Sequence, residues 1–353
     1  MHNLDNKINA FVKLGEFLRQ FSDKENNKKE YSEHNALFFD GFRHQLQLAR
    51  EHNGWFTGEN LTFSLKQWAD ALSRENLDRW LSRYQISPTT SKKVAVVMAG
   101  NIPLVGFHDF MSVLLCGHSV LVKQSSNDRH LLPYLAKYLE HVEPSFKGKI
   151  TFTEQKLESF DAVIATGSDN TSRYFEYYFG NKPNIIRKNR NSVAVLTGKE
   201  TEAQLAALGE DVFRYFGLGC RNVSKLFVPE NYDFDPFFKA IYPFKDILNV
   251  QKYTNNYDYN KAVYLMSLFK LKENGFLMLK EDKNYASPIA TLFYETYTDT
   301  ENLRKKLEED SEKIQCVVAS GFSGKEVPFG KTQKPELWDY ADGVDTVEFL
   351  LKI

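Results

Sequence analysis

Two runs of residues decide the fold: Val94-Ala95-Val96-Val97-Met98 and Ser119-Val120-Leu121-Val122. A helical stretch near residues 104–116 lies between them. Short continuous runs rich in β-branched residues are typical of strands that are buried on both faces. Two such strands joined by a helix form a βαβ unit, so this part of the chain predicts a parallel sheet with helices packed on it.

The same alternation continues along the chain. Further strands are predicted at 150–152, 161–165, 193–196, 225–228, 289–293 and 314–319, and helices near 128–141, 170–178, 202–215 and up to about residue 270. The fold class is therefore α/β, with one doubly wound sheet followed by a second α/β block. The predicted segments are a helical region (1–92) that packs on the first sheet, a first α/β domain (93–196), a second (197–330), and a C-terminal segment (331–353). That last segment either supports oligomerisation or returns to the first domain.

The N-terminal region predicts an amphipathic helix rather than a targeting signal. Apolar side chains recur at helical spacing with charged residues between them, at Ile8, Phe11, Leu14, Leu18 and Phe21. A signal peptide needs a continuous apolar core, and a membrane span needs about 20 apolar residues. The sequence offers neither, so we expect no membrane span.

Charge and cysteine content exclude several classes of partner. The 353 residues include 45 Lys and Arg against 46 Asp and Glu, so no overall field attracts nucleic acid or an anionic membrane. The cysteines, Cys116, Cys220 and Cys316, lack the close pairs of a zinc site, and we expect no bound metal. Free thiols without a secretion signal indicate a reducing compartment, and we expect a cytoplasmic protein.

Cys220 is the cysteine whose surroundings favour chemistry. Gly217 and Gly219 allow a tight turn and the close approach of a ligand. Arg221 beside it can favour the thiolate. The alternative is a small buried cysteine at the end of a helix. Cys116 and Cys316 lie within apolar runs, and we interpret both as core residues.

Three groups of polar residues follow strands of the first sheet, where ligands bind in folds of this class. Asn101-Ile102-Pro103 follows the first strand; an amide there can donate to an oxyanion, although Asn and Pro also build ordinary turns. Lys123 follows the second strand, ahead of Ser125 and Ser126. Thr166-Gly167-Ser168 follows a third strand and opens a helix, which is a generic anion cradle.

In this order the motifs resemble the aldehyde dehydrogenase superfamily: Asn-x-Pro, a lysine after a strand, Thr-Gly-Ser, and then Gly-x-Cys. The stretch 216–226, with Gly217-Leu218-Gly219-Cys220-Arg221-Asn222 inside it, is more narrowly similar to the acyl-CoA reductase (LuxC-like) family. Val327-Pro328-Phe329-Gly330 and Tyr340-Ala341-Asp342-Gly343-Val344-Asp345-Thr346 fit the same family. The resemblance covers roughly residues 93–350. It implies an aldehyde dehydrogenase-like fold, with a Rossmann-type cofactor-binding domain over 93–196 and a catalytic domain over 197–330.

The resemblance also implies a role for each matching residue. Cys220 becomes the nucleophile, while Asn101 and the backbone amide of Cys220 donate to the oxyanion. Lys123 contacts the ribose of a nicotinamide cofactor, and Gly167 and Ser168 lie under its pyrophosphate or nicotinamide side. The whole implied cofactor set is Lys123, Ser125, Ser126, Thr166, Gly167 and Ser168. The implied reaction is reduction of a long-chain fatty acyl-CoA thioester to an aldehyde through an acyl-enzyme.

Two departures from the superfamily pattern refine this expectation. Hydrolytic members carry a Glu that activates water, whereas residues 185–190 hold no carboxylate, which favours CoA over water as the exchange partner. The basic residues there, Arg187, Lys188 and Arg190, could meet CoA phosphates or be solvated. Residues 125–127 hold no carboxylate where NAD-preferring relatives often have a Glu. This favours NADPH and leaves NADH open.

Three other functions stay open from the sequence. A hydrolytic NAD-dependent aldehyde dehydrogenase would make acid from aldehyde without CoA. A cysteine acyltransferase or hydrolase would need no nicotinamide. A catalytically silent relative would bind cofactor weakly, and its Cys220 would resist alkylation. A homo-oligomer is expected by analogy with the superfamily, and a partner protein could deliver the acyl group in place of CoA.

Overall fold

The computed structural model describes residues 2–22, 33–87, 90–167 and 169–353. It divides the chain into two compact units. Unit 1 runs to Lys188 and includes Glu336–Ile353, whereas unit 2 comprises Asn189–Pro335. Each unit is built around its own sheet. Within the described ranges, no helix is both long enough and apolar enough to cross a membrane.

Unit 1 begins with four helices and continues as alternating strands and helices. The helices are α1 (His2–Arg19), α2 (Asn35–His52), α3 (Gly58–Ala71) and α4 (Arg74–Leu81). There follow β1 (Lys93–Val97), α5 (Phe107–Leu115), β2 (Ser119–Lys123), α6 (Leu131–Val142), β3 (Ile150–Phe152), β4 (Ala162–Thr166), α7 (Asp169–Phe179) and β5 (Asn184–Arg187). The sequence predicts a helical region over 1–92 without separating α4, and it predicts every later element except β5, although α6 begins at Leu131 rather than near residue 128.

The apolar face of α1 packs into the core of unit 1, as its spacing predicts. Phe11, Leu14 and Leu18 are fully buried. Phe11 packs edge-on against Phe107 of α5 and against Phe146. Burying a side chain of this size contributes roughly 1.5–3 kcal/mol. The N-terminal helices therefore share one core with the first sheet.

The sheet of unit 1 is parallel and has the order β3-β2-β1-β4-β5. The chain moves outward from β1 to β3 and then returns to the other side of β1 as β4. The register pairs Val97 of β1 with Lys123 of β2 and with Ala165 of β4. The carboxyl ends of these three strands therefore lie side by side, where the strand order reverses. This is the ligand-binding position of open α/β sheets.

Unit 2 has a six-stranded sheet flanked by helices. Its elements are β6 (Asn191–Val195), α8 (Glu202–Phe213), β7 (Val223–Pro229), α9 (Asp235–Ala240), α10 (Gln251–Met266), β8 (Leu271–Glu273), β9 (Met278–Glu281), β10 (Thr291–Tyr297), α11 (Thr300–Glu309) and β11 (Ile314–Val318). The order is β11-β6-β7-β10-β9-β8, with only β8 and β9 antiparallel. The boundary lies at residue 188 rather than at the predicted 196, because β6 pairs with β7 and β11 instead of leaving the first sheet.

The chain returns to unit 1 after Pro335 and ends in α12 (Thr346–Leu351). Val347 and Leu350 are fully buried in the core of that unit. The indole of Trp80 donates to the Tyr340 hydroxyl, with 2.6 Å between nitrogen and oxygen. Of the two uses predicted for residues 331–353, the structure thus shows the return, and the run that begins at Tyr340 supplies its anchoring contacts.

Candidate active site

Cys220 lies in an exposed turn between α8 and β7 of unit 2. Cys116 and Cys316 are buried, as predicted. Burial raises the pKa of the Cys116 thiol to about 12, which keeps that residue protonated. Because the thiolate is the reactive form of cysteine and must be reached by its substrate, Cys220 is the candidate nucleophile of the three.

The backbone before Cys220 is held in an uncommon conformation. Tyr215, Phe216 and Gly217 take φ angles of 54°, 59° and 76° in succession. Glycine tolerates this left-handed region, but each of the two aromatic residues pays a steric cost on the order of 1 kcal/mol. Both aromatic side chains are buried, and this packing opposes the strain. The sequence anticipated the glycine but not the two strained residues before it.

Asn222 fixes the turn from the other side. Its Oδ1 accepts from the backbone N–H of Gly219 at 2.8 Å. Its Nδ2 donates to the carbonyl oxygens of Asp211 and Arg214, at 3.0 and 2.7 Å. Only 2% of Asn222 is exposed, so these bonds form away from water and are correspondingly costly to lose. The side chain therefore ties both sides of Cys220 to the end of α8.

A second set of contacts joins the turn to residues 330–332. Arg221 donates from Nε to the carbonyl oxygen of Thr332 at 2.6 Å. The fully buried Asp211 carboxylate accepts from the amides of Gly330 and Thr332, at 2.6 and 3.0 Å. Burial nevertheless raises the pKa of Asp211. The Arg221 side chain thus anchors the segment after the Val-Pro-Phe-Gly run, a contact that the sequence does not specify.

A small cavity lies behind the Cys220 turn inside unit 2. Its volume is about 20 Å³, and its walls include Phe216, Tyr253, Leu277 and Leu292. A cavity of this size holds roughly one water molecule. It is too small to hold an acyl chain.

The residues implied for the cofactor meet at the carboxyl edge of the unit 1 sheet. Lys123 is the last residue of β2, and its Nζ donates to the Gln155 carbonyl oxygen at 3.1 Å. Thr166 is the last residue of β4, and Gly167 follows it. A Cβ at Gly167 would lie only 2.9 Å from the ring of Phe175, so α7 packs closely on this turn. Ser168 lies outside the described residues.

The loops after β1 and β2 touch at the same edge. A Cβ at Gly100 would lie 2.6 Å from Cβ and Oγ of Ser125, so the loop that carries Asn101 packs directly on residues 124–128. Ser125 Oγ accepts from the Asn127 amide at 3.2 Å, which closes a local turn. Ser126 is exposed, and its carbonyl oxygen lies 2.8 Å from Nε2 of His52. The N-terminal helices thus support this loop as well as the core.

Asp128 joins the two loops by its side chain. Its Oδ2 accepts from the backbone N–H of Leu104 at 2.8 Å. Leu104 has a φ of 58° and lies three residues after Asn101. The carboxylate is 8% exposed, and burial raises its pKa to about 6. The sequence interpretation placed residue 128 in a helix and assigned it no role.

The expectation for the basic run after β4 is corrected for Arg187. This side chain is 7% exposed, so it neither meets CoA phosphates nor is solvated. Its guanidinium makes two hydrogen bonds to the Asp109 carboxylate and one to Thr346 Oγ1. Lys188 forms an exposed ion pair with Glu176 at 2.9 Å. Arg187, at the end of β5, is therefore a buried and hydrogen-bonded residue of unit 1.

Arg190 belongs to unit 2 and is bound to its backbone. Its Nη1 donates to the Ser311 carbonyl oxygen at 3.3 Å.

No group of three or more His, Cys, Asp or Glu side chains within the described ranges could hold a metal ion. The donors at the unit 1 edge are an ammonium group and hydroxyls, without an exposed carboxylate in 123–127. Such donors suit the ribose and phosphates of a dinucleotide.

Sequence reasoning named Cys220, Asn101 and the strand-end residues but gave no role to the side chains that hold them. The sequence marks Asn222 only as part of the motif 217–222. The sequence gives only a weak indication of Asp211 and Asp128. Asp211 is a carboxylate within a largely apolar helical stretch, and Asp128 comes directly after a turn. Buried polar residues are mostly satisfied by backbone groups, and such partners leave no pattern in the sequence.

Comparison with known proteins places this chain in a family. Residues 5–240 match the model of the acyl-CoA reductase (LuxC) family. A long-chain acyl-protein thioester reductase from Photobacterium leiognathi is 22% identical over 231 residues. The match covers 60% of this chain and 47% of that protein, so the chain spans about half the length of this relative.

Solved structures show the fold. Aldehyde dehydrogenase 21 from Physcomitrella patens, in complex with succinate, has a TM-score of 0.66 at 12% identity and is matched over 99% of this chain and 87% of its own. The indole-3-acetaldehyde dehydrogenase of P. syringae, in complex with NAD+ and IAA, has a TM-score of 0.62 at 13% identity, with 92% and 73% covered. The aldehyde dehydrogenase-like fold expected from the sequence is confirmed.

Proposed function

The chain belongs to the acyl-CoA reductase (LuxC) family, and from this premise we propose that it reduces a long-chain fatty acyl thioester to the aldehyde, with NADPH as reductant and Cys220 as nucleophile. The observation that carries the proposal is the exposed Cys220 turn, fixed by Asn222 and Arg221 within a family of acyl reductases. Such a turn presents a thiol to a substrate, whereas the other two cysteines are buried.

The chain's own residues would act in two stages. The Cys220 thiolate attacks the carbonyl carbon of the acyl thioester, a carbon–sulfur bond forms, and CoA leaves as its thiolate. When a nicotinamide dinucleotide is bound, it supplies the hydride that reduces an acyl thioester. Aldehyde then leaves with cleavage of the bond to Cys220, which returns to the thiolate. Covalent catalysis of this kind replaces one difficult step by two easier ones.

Asn101 and the backbone amide of Cys220 are the proposed donors to the oxyanion that forms at each stage. A donor of this kind contributes roughly 3–4 kcal/mol to transition-state stabilisation. Lys123, Ser125, Ser126, Thr166, Gly167 and Ser168 are the proposed cofactor residues. The absence of an acidic residue from 123–127, together with the burial of Asp128, supports NADPH over NADH.

The acyl donor and the surroundings of the protein belong to the same proposal. CoA is the proposed carrier of the acyl group, and the name of the Photobacterium relative supports a thioester on a partner protein as a second carrier. The three free cysteines support a cytoplasmic location. We further propose a homo-oligomer, which light scattering of the purified protein would measure.

One assay tests the proposed function. NADPH and NADH absorbance would be followed with acyl-CoAs of graded chain length, on the wild type, Cys220→Ala and Cys316→Ala. We expect the wild type to consume NADPH and to release aldehyde and free CoA, and Cys220→Ala to do neither. Cys316→Ala is the matched control, because it removes a buried thiol from the same unit and should keep the activity.

Three results would contradict the proposal. Oxidation of aldehyde to acid without CoA would indicate a hydrolytic dehydrogenase. Acyl transfer or hydrolysis without NADPH consumption would indicate a cysteine acyltransferase or hydrolase. A Cys220 that resists alkylation at neutral pH, with no activity in either direction, would indicate a catalytically silent relative.

A further inference from the structure

We propose that Asp128 is a positioning residue: its carboxylate fixes the loop that carries Asn101, and fixes it more firmly when charged than when protonated. This inference rests on the proposed function, because it concerns the proposed oxyanion donor. Asp128 does not touch the reacting atoms in this account. It acts through the backbone of residues 98–106, a segment that we call the Asn101 loop.

The geometry of the Asn101 loop identifies Asp128 as its central tie. The loop runs from the end of β1 to the start of α5, and its turning point is Leu104, whose left-handed φ of 58° is unusual for leucine. The backbone N–H of Leu104 donates to Oδ2 of Asp128 at 2.8 Å. Leu104 is only 3% exposed, so this hydrogen bond is shielded from water. Pro103, next to it, offers its carbonyl oxygen to Ser64 Oγ at 3.1 Å.

Asp128 is itself held on the cofactor side of the edge. Its own carbonyl oxygen accepts from Nε2 of Gln124 at 2.8 Å, and its amide donates to the Ser125 carbonyl oxygen at 3.2 Å. One carboxylate thus connects the loop after β2, which holds Lys123 and Ser125, to the loop after β1. A change at Asp128 would reach the proposed cofactor residues and the proposed oxyanion donor together.

The chemistry of the carboxylate makes this tie depend on charge. A hydrogen bond from an N–H to a charged carboxylate is roughly twice as strong as one to a neutral acceptor. The other oxygen, Oδ1, is buried and has no hydrogen-bond partner within the described ranges. Burial therefore opposes the charged form while the Leu104 amide favours it, and the balance raises the pKa of Asp128 to about 6.

Other titratable groups in the neighbouring segments are His52 at the end of α2, and Arg129 and His130 before α6. The rings of His52 and His130 are 5.5 Å apart, and burial lowers the pKa of His130. Neither histidine is a cause of the shift at Asp128. His130→Asn is consequently a matched control, since it removes a nearby imidazole and leaves the carboxylate in place.

The test follows the Leu104 amide directly by NMR of protein labelled with ¹⁵N-leucine, assigned by loss of the signal in Leu104→Met. In the wild type and in His130→Asn, we expect its chemical shift to titrate with a midpoint near pH 6. In Asp128→Asn, whose amide oxygen accepts without titrating, we expect no such transition. The proposed role of Asp128 would be wrong if the Leu104 shift of the wild type did not change with pH. It would also be wrong if Asp128→Asn showed the same titration.

The second measurement separates positioning from a merely structural bond. The single-turnover reduction rate of Asp128→Asn should be below that of the wild type by up to about fivefold at pH 8, the factor that a halved hydrogen bond allows. The two rates should converge below pH 5, where both side chains are neutral. A rate ratio that does not change with pH overturns the positioning role. If the wild type reduces no acyl thioester at any pH, the proposed function fails, while the Leu104 titration still reports whether the tie exists.

Discussion

The turn that carries Cys220 and the loop that carries Asn101 are each held by one buried polar side chain, but the two side chains differ in kind. Asn222 in unit 2 donates to three carbonyl oxygens and accepts from an amide. Asp128 in unit 1 accepts from one amide and carries a charge. A carboxamide satisfies donors and acceptors at any pH, whereas a carboxylate binds its donor best in the form that burial opposes. The Cys220 turn therefore has a support that does not titrate, while the Asn101 loop has one that does.

Asn222→Ala tests the carboxamide side of this comparison and should have the largest effect. It removes the partner of the Gly219 amide and of the Asp211 and Arg214 carbonyl oxygens. Each buried group left unsatisfied costs roughly 1–3 kcal/mol, so we expect the free energy of unfolding to fall by about 4 kcal/mol. Chemical denaturation measures this loss, and the rate of Cys220 alkylation should change with it.

Asn260→Ala is the matched control for Asn222→Ala. Asn260 lies in the same unit and donates one hydrogen bond, to the Ile289 carbonyl oxygen at 2.9 Å. Its loss should cost only about 1 kcal/mol. Equal losses in the two variants would show that Asn222 is an ordinary buried amide rather than the support of the turn.

Asp128→Asn should alter how the free energy of unfolding depends on pH. The folded-state pKa of about 6 lies above the ordinary value of 3.8, so between these pH values the folded protein binds more protons than the unfolded chain. The unfolding free energy of the wild type therefore falls from pH 4 to pH 7.5, by about 2–3 kcal/mol from this group. The variant lacks this term.

Denaturation of both proteins at several pH values measures the difference. Between pH 4 and pH 7.5, the wild type should lose about 2–3 kcal/mol more unfolding free energy than Asp128→Asn does. A constant difference across this range would mean that Asp128 titrates normally. Stability that rises while the reduction rate falls would distinguish a positioning residue from a purely structural one.

Gly100→Ala tests the contact between the two loops of unit 1. The added Cβ would lie 2.6 Å from Ser125, a distance that forces the loops apart. Overpacking of this kind costs roughly 1–3 kcal/mol, and we expect about 2 kcal/mol by thermal denaturation. The double variant Gly100→Ala with Ser125→Gly removes the clashing atoms and should recover most of the loss. Without such recovery, the strain would lie elsewhere in the loop.

Ser192→Ala should have the smallest effect, and it tests another contact of the Cys220 turn. Ser192 Oγ donates to the Cys220 carbonyl oxygen at 3.0 Å. One neutral hydrogen bond contributes roughly 1 kcal/mol, so we expect a loss of about that size and little change in the alkylation rate of Cys220. A loss as large as that of Asn222→Ala would mean that the turn depends on its link to β6 rather than on the end of α8.

Much of the fold could be predicted from the sequence because its signals are local. The strands β1, β2 and β4 are continuous apolar runs, and the face of α1 follows helical spacing. Pairing partners leave a weaker trace. β6 has the same composition as the strands before it, so the sequence could not show that it pairs with β7 and starts the second unit.

The candidate site shows the same division. Cys220, Asn101 and Lys123 are candidates that the sequence marks by residue type, order and neighbouring glycines. The side chains that hold them in place, such as Asn222, bond to backbone groups. Every residue type has the same backbone groups, so these bonds leave no pattern in the sequence. Arg187 is an example of a wrong prediction for this reason. The sequence indicates a surface or phosphate-binding group, because its buried partner Asp109 lies 78 residues away.

The anchoring of the C-terminal segment has a consequence for the order of events during synthesis. Unit 1 is assembled from two pieces of chain, and Val347 and Leu350 fill its core from the second piece. All of unit 2 is synthesised before that second piece. Chains generally fold domain by domain as they emerge, with the N-terminal domain first. Here the unit that starts first is completed last, so its core stays unfinished until after the last residue of unit 2 has been added.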